Sequence, residues 1–163
     1  MKQKATSFIA LFFLMLITGV FWGTWFTLTR SLETFSPEEF IHIGQTIILN
    51  VAVPMRIIMP SGILFMILAI WFAENKKSAA FYSAVISLAL IITVLLITLV
   101  VLVPIDNEIR VWTADTIPGD WLEKRQTWNL FHSIRTFLSL ASFACFSVFV
   151  IFENRNAGRK HTG

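Results

Sequence analysis

Four long apolar runs constrain this chain more than any other feature of its sequence. Each is close to the roughly 20 residues that an α-helix needs to cross about 30 Å of hydrocarbon. None contains an acidic residue, and Arg135 is the one basic residue inside a run. Because lipid offers no hydrogen bonds to an open backbone, such runs form helices even where β-branched residues are common. The runs are Phe8–Leu28, Ile57–Ala73, Phe81–Val103 and Leu130–Phe152.

Composition assigns the chain to one class of protein. Its 163 residues are 56% hydrophobic and 14% charged, whereas a soluble domain carries about 25% charged residues. We therefore predict an all-α fold, an integral membrane four-helix bundle in which residues 1–163 form a single domain. The predicted transmembrane helices cover about 8–28, 55–73, 80–103 and 130–152. The single cysteine, Cys145, excludes an intrachain disulfide and a CxxC motif.

The polar connection between the first two runs contains a helix start. In Ser36-Pro37-Glu38-Glu39 a serine can serve as N-cap, with proline and acids in the first turn. One face of the helix that follows carries Glu38, His42, Gln45 and Leu49. This pattern predicts an amphipathic outward helix between the first two spans. We expect it to end by Val53-Pro54, because the residue before a proline avoids the helical conformation.

The lysines and arginines favour one orientation in the membrane. The positive-inside rule counts these residues close to the ends of the spans. Seven lie on the side of the termini and six on the opposite side. We therefore expect a multi-pass protein of the inner (plasma) membrane, with both termini in the cytoplasm and both large connections facing outward. The seven are Lys2, Lys4, Lys76, Lys77, Arg155, Arg159 and Lys160, and the six are Arg30, Arg56, Arg110, Lys124, Arg125 and Arg135.

The sequence also indicates which partners to expect. The basic residues lie at helix ends and are not interleaved with aromatic residues on a polar face, so we expect no nucleic-acid partner. The expected partners are the lipid bilayer and an apolar small molecule. Gly19, Gly23 and Thr27 recur every four residues in the first run, a pattern that lets a second helix approach closely. It predicts a helix-packing surface, through which Gly19 and Gly23 could also form a homo-oligomer.

Polar side chains from both outward connections are predicted to meet at one mouth of the bundle. Trp128, His132 and Arg135 have spacings of four and three, which align them on one side of the fourth helix. A charge at the depth of Arg135 costs at least roughly 2.5–3.5 kcal/mol unless it is paired or hydrated, so we expect it to face the bundle interior. The candidate acceptors are Asp106, Asn107 or Glu38. Further residues of this mouth are His42, Gln45, Arg56 and Glu108.

Plainer roles remain open for the same residues. Arg135 could snorkel to the interface, Asn107 could cap the third helix, and His132 could bond a backbone carbonyl. His42 and His132 make a weak metal or haem site, because no third ligand lies at helical spacing and no CxxCH motif is present. Ser133 is adjacent to His132 and so gives no serine–histidine–acid signature. A transporter is disfavoured because no acid lies inside a run.

Several of these residues form motifs that resemble one family. The motifs are Gly19 and Gly23, the segment from Gln45 to Met59-Pro60, Pro104-Ile105-Asp106-Asn107, and Trp128-x3-His132-x2-Arg135. In order and spacing the chain resembles the anthrone-oxygenase-like family of small four-helix membrane proteins, long catalogued as a domain of unknown function. The family's usual Pro-x-Asn appears here as Pro-Ile-Asp-Asn, one residue longer.

The resemblance implies that an anthrone is oxidised to an anthraquinone by molecular oxygen, without a metal or flavin. Under this hypothesis His132 is the catalytic base, and Arg135 and Asn107 stabilise the enolate or phenolate oxygen. The implied substrate-binding residues are Trp128, His42, Gln45 and Asp106. The competing hypothesis is a non-enzymatic membrane protein, either a lipid- or quinone-binding subunit or an assembly partner. In that case Gly19 and Gly23 matter more than His132.

Overall fold

The computed structural model describes residues 2–159 and their side chains as far as residue 153. Every regular element in this range is a helix. The elements are α1 (Lys2–Thr27), a 3₁₀ segment (Thr29–Thr34), α2 (Pro37–Trp71), α3 (Ala79–Ile97), a π segment (Thr98–Leu102), α4 (Val103–Ile109) and α5 (Trp121–Arg159). Four stretches of the described chain are long and apolar enough to cross a membrane: Lys2–Thr34, Pro37–Trp71, Ala79–Ile109 and Trp121–Glu153. The prediction of an all-α fold with four long apolar helices is confirmed.

Helix α2 differs from its prediction at one end only. A capping box starts it as expected: the Ser36 hydroxyl accepts from the Glu39 amide at 3.3 Å, and the Glu39 carboxylate accepts from the Ser36 amide at 2.8 Å. The expected end by Val53 is wrong, because one helix continues through Pro54 and Pro60. A proline removes one backbone hydrogen bond, which packing against neighbouring helices can compensate. The residues of the predicted separate outward helix therefore form the first half of α2.

The third and fourth helices also extend further than predicted. The expected polar connection at Pro104 is wrong, since the chain stays helical to Ile109 through the π segment and α4. Pro104 lies in the first turn of α4, where its missing amide hydrogen is tolerated. Helix α5 starts at Trp121 and not near residue 130. At 1.5 Å per residue, the 35 residues of α2 extend about 52 Å, further than about 30 Å of hydrocarbon.

The helices pack around two hydrophobic clusters. The larger one, here called the bundle core, joins α1, α2, α3 and α5 through Ala10, Leu14, Ile17, Phe21, Met59, Met66, Ala69, Ala73, Ala80, Ala84, Ile91, Val94, Phe146 and Phe149. The smaller one, the pocket-end cluster, joins the 3₁₀ segment, the start of α2 and α4 through Leu32, Phe40, Ile41, Ile48, Ile105, Ile109 and Trp112. Many large apolar side chains stay exposed on the outer faces, including Phe8, Leu49, Ile57 and Val100. Such a surface is consistent with a membrane helix bundle.

A different glycine from the predicted ones allows α1 and α2 to approach closely. A Cβ added at Gly62 would lie 3.1 Å from the Ile17 Cδ1 and 3.2 Å from the Phe13 Cβ. A Cβ added at Gly19 or Gly23 would meet no atom within 4 Å. Among the described residues, therefore, the close approach of α1 and α2 occurs at Gly62 and not at Gly19 or Gly23.

Candidate functional site

Four side chains from α4 and α5 form a row at one end of the bundle. The Trp128 indole donates a hydrogen bond of 2.9 Å from Nε1 to Asp106 Oδ1. The Trp128 ring stacks on His132, with centroids 4.8 Å apart and planes 13° apart. His132 in turn contacts Arg135. We call Asp106, Trp128, His132 and Arg135 the polar row. The helical alignment predicted for its three α5 members is present, because α5 begins before all of them.

Arg135 fixes the protonation of its neighbour His132. Its Nε and Nη2 atoms lie 3.1 and 2.9 Å from His132 Nδ1. A guanidinium has no acceptor, so Nδ1 must accept, and a neutral imidazole then carries its hydrogen on Nε2. His132 is 1% exposed, and its Nε2 has no hydrogen-bond partner of adequate geometry among the described residues, although the Phe21 backbone interacts with the ring.

The other contacts of Arg135 differ from the expected ones. Its Nη1 lies 3.3 Å from Thr98 Oγ1 in the π segment, and its guanidinium carbon lies 4.5 Å from the centre of the Phe21 ring. No carboxylate lies within 4.0 Å of it among the described side chains, so Asp106 and Glu38 do not form the expected ion pair. Because His132 and Arg135 are three residues apart on α5, the His132 ring lies closer to the Arg135 guanidinium than any described acidic side chain does.

The remaining predicted residues separate into two groups. Asn107, His42 and Arg56 are exposed, and the structure brings none of them to the polar row. Gln45 instead has a structural contact: its side-chain amide donates to the carbonyls of Ile109, Arg110 and Trp112 at 3.0, 3.4 and 2.9 Å. The Ile109 and Arg110 carbonyls lie at the C-terminal end of α4, where the helix supplies no donor, and the Trp112 carbonyl lies in the turn that follows. Gln45 therefore holds the end of α4 against α2.

A small pocket lies beside the polar row. Its volume is about 30 Å³, and two members of the row, Asp106 and Trp128, line it. The other lining residues are Leu28, Leu32, Phe35, Phe40, Ile43, Gly44, Ile47, Ile48 and Ile109. The exposed wall of the pocket is entirely apolar, because Asp106 and Trp128 line it through carbon atoms. Known ligand pockets hold about 300–1,000 Å³, so an aromatic ring fits only after the wall has moved.

Arg125 fastens one wall of the pocket and was not singled out from the sequence. Its Nη1 donates to the carbonyls of Leu32 and Phe35 at 3.0 and 3.4 Å. The guanidinium lies 5.0 Å from the centre of the Trp121 ring, and the side chain is buried. By sequence it was counted as a surface charge, because an arginine before an apolar run is typical of a membrane interface. Its acceptors come from a distant segment, and no local pattern reveals them.

Lys124 ties α5 to α4. Its ammonium contacts the carboxylates of Glu108 and Asp120 and lies 5.8 Å from the centre of the Trp112 ring. Among the described residues, no group of three His, Cys, Asp or Glu side chains could hold a metal ion. His42 is exposed on α2 and His132 is buried within the bundle.

Comparison with known proteins identifies the family. A family model described as anthrone oxygenase matches residues 50–145, which is more than half of the chain. The chain belongs to the anthrone oxygenase family. The matched range contains the whole polar row, whereas the opposite wall of the pocket, from Leu28 to Ile48, lies outside it. No curated protein and no solved structure matches the chain.

Proposed function

We propose that the protein is a membrane oxygenase that uses molecular oxygen to oxidise an apolar phenolic or anthrone-like molecule, without a metal or flavin. The observation that carries the proposal is the polar row, which lies inside the range matched by the anthrone oxygenase model and borders an apolar pocket. An apolar cleft with a few converging polar groups is the usual form of a small-molecule site. Trp128 would stack on the flat ring of the substrate.

The overall reaction sets what the site must do. An anthrone has a CH₂ carbon, which becomes a carbonyl when one O₂ is consumed and one water is released. The reaction starts with loss of a proton, which makes the ring electron-rich enough to react with oxygen. Arg135 supplies the positive charge of the polar row, which would stabilise the resulting anion. Asn107 and His42 would contribute only after a change of conformation, because both are exposed.

Substrate entry requires the pocket to open, and the 3₁₀ segment is the wall that we expect to move. It is short and carries the weaker hydrogen-bond geometry of its class, whereas the other walls belong to longer helices or are tied to them. Leu32 lies in it and Phe35 follows it. Two hydrogen bonds from Arg125 hold it closed.

We further propose that the pocket end faces outward from the inner (plasma) membrane, with both termini in the cytoplasm. The support is the number of lysines and arginines on each side of the spans. Of these residues, Lys160 lies outside the described residues, and Arg155 and Arg159 outside the described side chains. Impermeant thiol reagents applied to intact cells should label Asn107→Cys but not Asn75→Cys, in a Cys145→Ala background. The opposite labelling would reverse the orientation.

The activity can be tested with detergent-purified protein, an oxygen electrode and 1,8-dihydroxyanthrone. We expect oxygen uptake above the spontaneous rate, with one anthraquinone formed for each O₂ consumed. His132→Ala should lower this rate, and Gln126→Ala, an exposed residue of the same helix, should not. A wild-type rate equal to that of buffer with detergent would contradict the proposal.

A second candidate function rests on the unoccupied surface at Gly19 and Gly23. No atom of the described residues lies within 4 Å of a Cβ added at either position, which leaves room there for an assembly partner, a lipid or a quinone. Gly19→Leu and Gly23→Leu would then disrupt a complex more than His132→Ala. An absorption spectrum of the purified protein separates the classes: a co-purified quinone favours the binding subunit, and a Soret band would indicate haem.

A further inference from the structure

We propose that Asp106, and not His132, is the base that removes the substrate's hydroxyl or carbon-bound proton. This inference rests on the proposed oxygenase function and assigns a residue within it. Three features of the structure carry it: the lining of the pocket, the hydrogen-bonding state of the imidazole, and the orientation of the Asp106 carboxylate.

The pocket is the first feature. Asp106 and Trp128 are the two members of the polar row that line it, while His132 and Arg135 do not. A general base must come within about 2.6–3.2 Å of the proton that it removes. Asp106 lines the closed pocket through carbon atoms, so its carboxylate would reach a bound ring once the wall has moved, whereas Trp128 covers one face of the His132 imidazole.

The state of the imidazole is the second feature. A base needs a free lone pair, and the neutral His132 has one, on Nδ1. That lone pair already accepts from two nitrogen atoms of Arg135. The remaining nitrogen, Nε2, carries the hydrogen and can only donate. In this arrangement His132 positions Arg135 and stacks on Trp128, and it has no site left to receive a proton.

The carboxylate is the third feature. Asp106 Oδ1 accepts from the Trp128 indole, while Oδ2 has no hydrogen bond to a described residue and no ion pair within 4.0 Å. The charged groups that act on it are Arg135 of α5 and Arg110 at the end of α4. One oxygen thus fixes the orientation of the carboxylate and the other is free to accept a proton. Helical geometry produces this arrangement, since Asp106 and not the neighbouring Asn107 faces α5.

The proton and electrons of the proposed step balance with O₂ as the oxidant. Asp106 takes one proton, and the electron pair left on the substrate forms a carbon–oxygen bond to O₂. The proton returns from Asp106 to the terminal peroxide oxygen. Asp106 then takes the second proton of the same carbon as the O–O bond breaks and hydroxide leaves, and it returns this proton to the hydroxide, which gives the ketone and one water. Asp106 ends the cycle as a carboxylate, ready for the next substrate.

Asp106→Asn tests the assignment, because an amide oxygen can still accept from Trp128 but cannot take a proton. We expect its anthrone oxidation rate at neutral pH to fall by about 10²–10⁴-fold, the usual contribution of a general base. Asp106→Glu should keep part of the rate. Asp115→Asn is the matched control, the same substitution at an exposed carboxylate outside the polar row, and it should retain the wild-type rate within a few fold.

A pH series separates a base from a merely structural carboxylate. Without the base, the substrate must ionise in solution, so the Asp106→Asn rate, corrected for the spontaneous reaction, should recover towards wild type as the pH rises. A structural defect would lower the rate by one factor at every pH. Quenching of tryptophan fluorescence by the anthraquinone product should show that Asp106→Asn still binds.

The outcomes distinguish the two proposals. An inactive wild-type protein would overturn the oxygenase function itself. An active wild type together with an Asp106→Asn variant of near wild-type rate would leave that function standing and overturn the role of Asp106. The role would also be overturned if the variant lost activity equally at all pH values. In that case His132→Gln, which removes the imidazole, becomes the informative variant.

Discussion

The bundle core and the pocket end use polar side chains in opposite ways. In the bundle core the hydroxyls of Ser87 and Ser142 exchange hydrogen bonds with each other's backbone carbonyls, at 2.7 and 2.9 Å. At the pocket end Gln45 and Arg125 reach across several ångströms to carbonyls at the ends of short helical segments. Short hydroxyls suit helices that already lie close together, and long side chains suit helix ends that must be held in place.

The difference shows where chemistry can occur. In the bundle core each of these serines has its hydrogen-bonding capacity filled within the chain, so their role is to pack helices. In the polar row, the buried His132 Nε2 has no hydrogen bond of adequate geometry to a described residue, and Asp106 is bonded to Trp128 through Oδ1 alone. Leaving a buried polar group unpaired costs about 1–3 kcal/mol. A catalytic role is one reason why a fold keeps such a group.

The largest effect should come from breaking the polar row. His132→Ala removes a charge-assisted hydrogen bond and a stacking partner, and should cost about 3 kcal/mol of unfolding free energy. The measurement is an SDS unfolding titration in mixed micelles. Arg135→Met completes a double-mutant cycle. The double variant should lose less unfolding free energy than the sum of the two single losses, by at least about 0.5 kcal/mol. Additive losses would mean that the two residues act independently.

The next effect tests the close helix contact of the bundle core. Gly62→Leu pushes a side chain against Ile17 and Phe13, and overpacking of this kind costs about 1–3 kcal/mol. Gly19→Leu is the matched control on α1, and it should leave the unfolding free energy of the monomer unchanged. Equal losses in the two variants would show that α1 also uses Gly19 for packing.

A smaller effect should follow from loosening the pocket wall. Arg125→Met leaves two carbonyls without their donor and should cost about 1–2 kcal/mol. Hydrogen exchange should then speed up in the 3₁₀ segment. Gln45→Leu gives the paired comparison, with faster exchange near 109–112 and an unchanged 3₁₀ segment. If both variants loosened both regions, the pocket end would open as one unit and the 3₁₀ segment would not be a separate gate.

The smallest effect should come from the hydroxyls of the bundle core. Interhelical hydrogen bonds in membrane proteins average about 0.6 kcal/mol, so Ser87→Ala should destabilise the fold by about that amount. Its anthrone oxidation rate should equal that of the wild type. If Ser87→Ala instead lost much of its activity with little loss of stability, Ser87 would have a functional role. The bundle core would then no longer differ from the pocket end in this respect.

Local signals account for the parts of the site that were predictable. The start of α2 follows from Ser36 and Glu39, which form their capping box within one turn of chain. The alignment of Trp128, His132 and Arg135 follows from helical spacing alone. The partners of these side chains were harder to predict. Thr98 meets Arg135 in a π segment, which displaces side chains from regular helical positions, and Arg125 bonds carbonyls about 90 residues away in the chain.

The sequence by itself determined four apolar helices and the family, because hydropathy and motif spacing are properties of short stretches of chain. Only the tertiary structure decided that α2 passes through its two prolines, that Gln45 holds a helix end, and that Asp106 and not Asn107 meets Trp128. These outcomes depend on which helix faces lie opposite one another. Packing over the whole bundle decides this, because rotating a helix about its axis by the angle between two successive residues brings the neighbouring side chain to the same contact.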